Sequence, residues 1–211
     1  MDKNSFESIW NDISQKYSFG KDFYKEFNKM NPDQKIFFVG NYCLLRFVRD
    51  AGKITNFCKN KDTWASASKK EISSAAARMF VSLVRIAQEF QMSPMSVFEI
   101  VCNCMGRAKI ANLPEISSLM SKIQIPQGRL AEALLMYEKI GLMNNMNSIH
   151  VETESSTEMY QTLIKTLFMY LMCVVCEFEF ISVNDFLRRE VVEEISKIDL
   201  SPYIKLEREV N

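Results

Sequence analysis

The sequence predicts an all-α protein, a multi-helix bundle. Three observations carry that prediction. Apolar residues recur at i, i+3, i+4 and i+7 in one stretch after another. Breakers are scarce, with 6 glycines and 5 prolines in 211 residues. Most of the apolar stretches also open on a capping signal. Hydrophobic residues make up 47% of the chain and charged residues 25%, a balance that provides a sizeable core and excludes global disorder.

The elements follow in order. Phe6, Ile9, Trp10, Ile13 and Tyr17 form a first amphipathic stripe, with Asn4 and Glu7 at capping-box spacing. That helix is expected to end near Gly20, and a short aromatic helix around Phe23, Tyr24 and Phe27 follows. Asn31-Pro32 is a cap and a first-turn proline. It opens a strongly apolar helix through Ile36, Phe37, Val39, Tyr42, Cys43 and Phe47, closed at Ala51-Gly52. Lys53 to Lys70 reads as a loop, basic, with Phe57 and Trp64 interleaved. Basic groups beside an aromatic can grip a phosphate backbone, but a solvated linker anchored to the core by Trp64 is the favoured account. Ser68 and Glu71 cap a helix whose apolar face, from Ile72 to Phe90, is wide enough to make it central. Ser93-Pro94 stops it and starts the next, lined by Val97, Phe98, Val101, Cys102 and Met105 up to Gly106.

From Leu113 the pattern changes. Pro114 and Glu115 open a helix striped by Ile116, Leu119, Met120 and Ile123. Ile125-Pro126 is expected to break it, because the residue before a proline is pushed out of the helical region. A second helix follows, with Leu130, Ala133, Leu134, Tyr137 and Ile140 on one face and Gly141 as its C-cap. Ile149, His150 and Val151 then alternate as a short strand would. Further on, Ser155 and Glu158 cap the most apolar helix of the chain, in which Thr166 to Cys176 is free of charge. A bilayer span needs about 20 apolar residues, and Lys165, Glu177 and Glu179 interrupt before that. Apolar residues on nearly every face imply a helix buried all round, or one buried partly by a second copy of the chain. Phe186, Leu187, Val191, Ile195 and Ile198 build a last helix with an acidic outer face.

Helix, break, helix and strand-like tail over 113–151, with the phrase LAEALLMYEKIGLMN, resemble the core of winged helix-turn-helix regulators. The resemblance covers about 40 of the 211 residues. It implies a winged-helix-like unit at 93–151, its first helix lying after Ser93, with a short β-wing at 149–151. A helical N-terminal region at 1–92 and a C-terminal helical pair at 152–211 would flank it, the pair serving as a dimerisation element. In that family the second helix of the motif enters the major groove. The positions carried over are Gln127, Arg129, Glu132 and Met136, of which Arg129 matches the usual guanine reader. Phosphate contacts would come from Lys109, Lys122, Lys139, Lys69 and Lys70.

Charge and chemistry narrow the function. Lys+Arg and Asp+Glu are each 26, which argues against coating nucleic acid by bulk charge. The balance is uneven along the chain. Residues 1–70 carry 13 basic and 8 acidic groups, 71–150 carry 7 and 6, and 151–211 carry 6 and 12. The N-terminus has no apolar leader, so the six cysteines are expected as reduced thiols in the cytoplasm. Cys173 and Cys176 have C-x-x-C spacing but sit in an apolar run without turn residues, as small buried hydrophobes do. With His150 the only histidine, and with no glycine-rich phosphate loop, G-x-S-x-G or H-E-x-x-H, neither catalysis nor a cofactor is expected. Glu190, Glu193 and Glu194 are spaced to seat a cation, but a solvated acidic face explains them without one. Two functions follow. One is a non-enzymatic winged-helix regulator binding double-stranded DNA as a homo-oligomer through its C-terminal helices. The other is an α-helical interaction or assembly protein that does not bind nucleic acid, which the neutral charge and Glu132 favour.

Overall fold

The structure, a computed structural model, describes residues 2–19, 26–59, 66–108, 115–146, 154–178 and 180–200. All regular structure among them is helical. The long helices are α1 (Lys3–Lys16), α2 (Pro32–Lys59), α3 (Ser66–Glu89), α4 (Pro94–Ala108), α5 (Ile116–Met146) and α6 (Glu154–Cys176). A 3-10 turn occupies Phe27–Lys29. The last helical stretch is a turn of α-helix, α7 (Val183–Asp185), a π-helical segment (Phe186–Val191) and α8 (Val192–Ser196).

The bundle is built around α3, as its wide apolar face predicts. Ile72, Ala75, Ala76, Ala77, Met79, Phe80, Leu83, Val84, Ile86 and Ala87 are all buried, so this helix has no solvated face over three turns. It packs against α1, α2, α6, the π-helical segment and α8. The run Ser73-Ser74-Ala75-Ala76-Ala77 has small side chains, which lets neighbouring backbones come close. Phe80 stands edge-on to Phe6, Phe168 and Phe186, from three other elements. One contiguous apolar core takes residues from each third of the chain.

The helix ends show which local signals decide. Asn31 and Gln34 cap α2 reciprocally, the Gln34 amide donating to Asn31 Oδ1 (2.8 Å) and the Asn31 amide to Gln34 Oε1 (3.0 Å). At α1 the cap is Asp2, which accepts from the Ser5 amide, rather than Asn4. Ser93 caps α4 as expected, accepting from the Ser96 amide. At the end of α3 the chain reverses through Gln91 with φ 54°. The Met92 amide donates to the Ala87 carbonyl and the Gln91 amide to that of Gln88, which is a Schellman closure made without glycine. Gly52 does not end α2. The helix runs on to Lys59, so most of the basic stretch expected as a loop is helical and only residues 60–65 lie outside the description.

The largest correction concerns α5. The break expected at Ile125-Pro126 is absent, and a single helix of 31 residues runs through Pro126 and past Gly141. Ile116, Leu119, Ile123, Pro126, Leu130, Ala133 and Tyr137 are buried. They follow one another by three and four residues alternately, so the two expected stripes are one stripe in phase across the proline. Proline removes the bond to the Lys122 carbonyl at a cost of about 3 kcal/mol. Burying each large apolar side chain contributes about 1.5–3 kcal/mol, and the unbroken stripe outweighs one proline. α5 lies along α2, where Gly40 permits the contact: a Cβ there would overlap Leu134 Cδ2. The expected wing at 149–151, with His150, lies outside the described residues.

About half of the charge-free run of α6 is buried by the chain itself, and the rest of it is half-buried. Phe168 and Leu171 are fully buried, and α6 packs on α3, α4 and α5. At these two residues the burial comes from within the chain, as expected of a helix buried all round. By length and composition Thr157–Cys176 could cross a membrane, with a mean hydropathy of 1.5. It is longer than a count stopped at Lys165 suggests. In this fold 44% of the window is buried against the chain, and Met159 is exposed.

Candidate functional site

The sequence-predicted site residues fall into two separate places. Arg129, Glu132 and Met136 stand on the outer edge of α5 and, with Ala133, Leu135, Met159, Tyr160 and Leu163, line an open groove between α5 and α6 of about 580 Å³. Lys122 is exposed two turns before Arg129, and Gln127 is half-buried off that edge. Lys69 and Lys70 lie instead against the far end of α6, beside Cys176 and Phe178. From Met159 to Cys176 is 17 residues of helix, about 25 Å at 1.5 Å per residue. The basic pair and Arg129 do not share a surface patch. Lys109 and the side chain of Lys139 lie outside the description.

The groove is apolar with a charged rim. Leu135, Met136 and Met159 are 50%, 49% and 53% exposed, high for large apolar residues that are close together. Ile125, two turns or more before them along α5, is 66% exposed. Beneath the groove, Tyr137, Tyr160 and Phe90 form a triangle of rings with centroids 5.5–5.6 Å apart. The Gln161 amide fixes α6 to the end of α3 by donating to the Phe90 carbonyl (2.9 Å). The floor is thus a rigid packed layer, and the exposed methionines are its adaptable surface. Arg129 and Glu132, one turn apart, make no ion pair with each other or with any other described residue. Opposite charges left uncommitted on one rim are available to a partner.

No family model matches this sequence, and no curated protein or solved structure matches it either.

Around Asp50 and Glu194 charges are committed to the fold. Asp50 is fully buried on α2 and receives Arg78 Nε at 3.1 Å, Arg49 Nη2 at 2.9 Å and Lys53 Nζ at 3.4 Å. Arg78 also reaches Glu194 Oε2 at 3.4 Å, and Lys197 reaches Glu194 Oε1 at 3.0 Å. Lys70 and Lys197 both pair with Glu193, whose carboxyl is lowered from its ordinary value mainly by the Lys197 ammonium. Glu190, Glu193 and Glu194 of the acidic face expected on the last helix thus clasp it to α3, whose Arg78 in turn reaches Asp50 of α2. Among the described residues no cluster of three His, Cys, Asp or Glu is placed to hold a metal. The Cys43 and Cys176 thiols are poor nucleophiles at neutral pH, since burial pushes Cys43 up to about 12 and Cys176 up to about 11.

Arg129, Glu132 and Met136, expected on the polar side of their helix, are exposed on the outer edge of α5. Sequence reasoning missed Leu135, Met159 and Leu163. The available signal was the apolar content of both edges of α5: Ile125, Leu135 and Met136 fall outside the buried stripe and are left exposed by the described residues.

Proposed function

We propose that this chain is a non-enzymatic helical assembly protein that pairs with a second copy of itself through the α5–α6 groove. The observation that carries the reading is the exposed cluster Leu135, Met136 and Met159, rimmed by an uncommitted Arg129 and an uncommitted Glu132. A two-fold contact brings the same patch together from both sides. One copy's Arg129 then faces the other's Glu132, while the methionines and leucines fill each other's groove. Both charge signs on one small patch suit a self-complementary surface better than a polyanion. The homo-oligomer expected through the C-terminal helices is kept, moved from the Thr166–Cys176 run to the Met159–Leu163 end of α6.

Duplex DNA binding of winged-helix type is the second reading, favoured by Lys122 and Arg129, both exposed on one edge of α5. It needs phosphate contacts that the groove does not supply, and the unbroken α5 gives it no turn before the reading helix.

Sedimentation equilibrium of the purified chain separates the two readings when run beside titration with genomic duplex fragments. Self-assembly predicts a dimer at tens of micromolar, about where a modest apolar interface associates, and no saturable duplex binding. A monomer throughout refutes it. Saturable duplex binding with a salt slope of about −0.9 per phosphate contact supports the second reading.

A further inference from the structure

The cleft at the far end of α6 is a second site, independent of the groove. It has a volume of about 670 Å³ and is walled by the start of α3, the end of α6, the turn at 180–182 and the π-helical segment. This lies within the range of small-ligand sites, about 300–1,000 Å³. We propose that it binds a small nucleotide, a nucleoside monophosphate in size and chemistry.

Three features of the cleft match three parts of such a ligand. The first is uncommitted positive charge. Of its three carboxylates, Glu193 is ion-paired with Lys70 and Lys197, while Glu190 and Asp185 keep their charge and each accept one hydroxyl, from Ser73 (3.0 Å) and Ser182 (2.6 Å). Lys69 and Arg189 meet no carboxylate among the described residues, and a phosphate is the kind of anion that either side chain pairs with. The second is an aromatic shelf. Phe180 is half-buried, stacked on the buried Phe178 at 5.3 Å, with Lys69 Nζ 5.8 Å from its ring centroid. A base can stack there next to the cation that holds its phosphate. The third is acceptor capacity. A hydroxyl donor occupies only one of about four lone-pair positions on Asp185 or Glu190, which leaves acceptors for sugar hydroxyls.

The π-helical segment is what presents this set. Phe186, Leu187 and Val191 are all buried, a spacing of five that an α-helix would rotate out of register. The inserted residue keeps them inward while Arg189 and Glu190 line the cleft. Such segments are enriched at functional sites.

The test is calorimetric titration of the full chain with each of the four ribonucleoside monophosphates, their nucleosides and ribose 5-phosphate. The expected result is saturable binding of at least one monophosphate, tighter than both its nucleoside and ribose 5-phosphate. Arg189→Gln should weaken the monophosphate by about tenfold, the size of one charge-assisted contact, and leave the nucleoside unchanged. Phe180→Ala should weaken the monophosphate and the nucleoside together and spare ribose 5-phosphate. Arg189 is exposed, so its variant should melt with wild type, and a matching melting curve excludes misfolding as the cause of any loss. No saturable binding of any monophosphate up to millimolar concentration overturns the proposal, as does binding that both variants retain in full.

Discussion

Replacing Arg78 with methionine tests how the last helix is held. Its Nε is 3.1 Å from Asp50 Oδ1 and its Nη1 3.4 Å from Glu194 Oε2. Asp50 is fully buried and Glu194 nearly so. Methionine preserves most of the stem and removes the charge, leaving two carboxylates with fewer partners. Breaking a buried pair from one side costs about 3–5 kcal/mol, because the remaining charge is desolvated without compensation. The lower end applies here. Arg49 and Lys53 still reach Asp50, Lys197 still reaches Glu194, and Arg78 itself is 21% exposed. A loss of about 3 kcal/mol in a chain of this size lowers Tm by about 6–12 °C, at 2–4 °C per kcal/mol. Urea and thermal unfolding measure it, and Asp50→Asn with and without Arg78→Met completes a cycle. The double variant should be more stable than the sum of the singles by at least about 1 kcal/mol, since each single strands the other's charge. A loss below about 1 kcal/mol for Arg78→Met, or strict additivity, refutes the clasp.

Other substitutions probe other parts of the fold. Pro126→Ala should stabilise by about 1–2 kcal/mol in urea unfolding, the proline cost of about 3 less two ring methylenes at about 0.8 each. A neutral or destabilising result would mean that α5 is not a continuous helix. Gln91→Gly should raise stability by about 1 kcal/mol, because Gln91 holds a left-handed φ that glycine adopts freely. Alkaline titration should destabilise the fold. Cys43 and Cys176 titrate near 12 and 11 when folded and near the ordinary thiol value when unfolded. Their contribution is thus fully present below about pH 8.5 and is lost as pH rises through the folded values. A Tm unchanged from pH 8 to 11 would contradict the burial of these thiols.

Much of the helical order is legible in the sequence because it rests on local signals. Asn31-Pro32 and Ser93-Pro94 mark their helices at the right residues, and the wide face of Ile72 to Phe90 identifies the central one. The errors occur where a distant contact overrides a local rule. Pro126 and Gly52 are breakers by propensity, yet each lies in a helix whose stripe is packed against other elements along its length. The phase of the stripe across Pro126 was present in the sequence and carried more weight than the proline. The Asp50–Arg78–Glu194 clasp was not legible, because its members are 28 and 116 residues apart and no spacing rule joins them. The groove was half legible. Arg129 and Glu132 could be placed on the outer edge of their helix, but the partner residues come from α6, whose position depends on the aromatic layer beneath.

The most direct test of self-assembly through the groove is a charge-swap series read by sedimentation equilibrium. Arg129→Glu puts like charges opposite one another across the two-fold contact, and so does Glu132→Arg. Each should weaken dimerisation by about tenfold or more, at 1.4 kcal/mol per decade. The double swap restores opposite charges and should return the dissociation constant to within about threefold of wild type. If the two single swaps leave association unchanged, or the double swap is as weak as their sum, the α5–α6 groove is not where two copies meet.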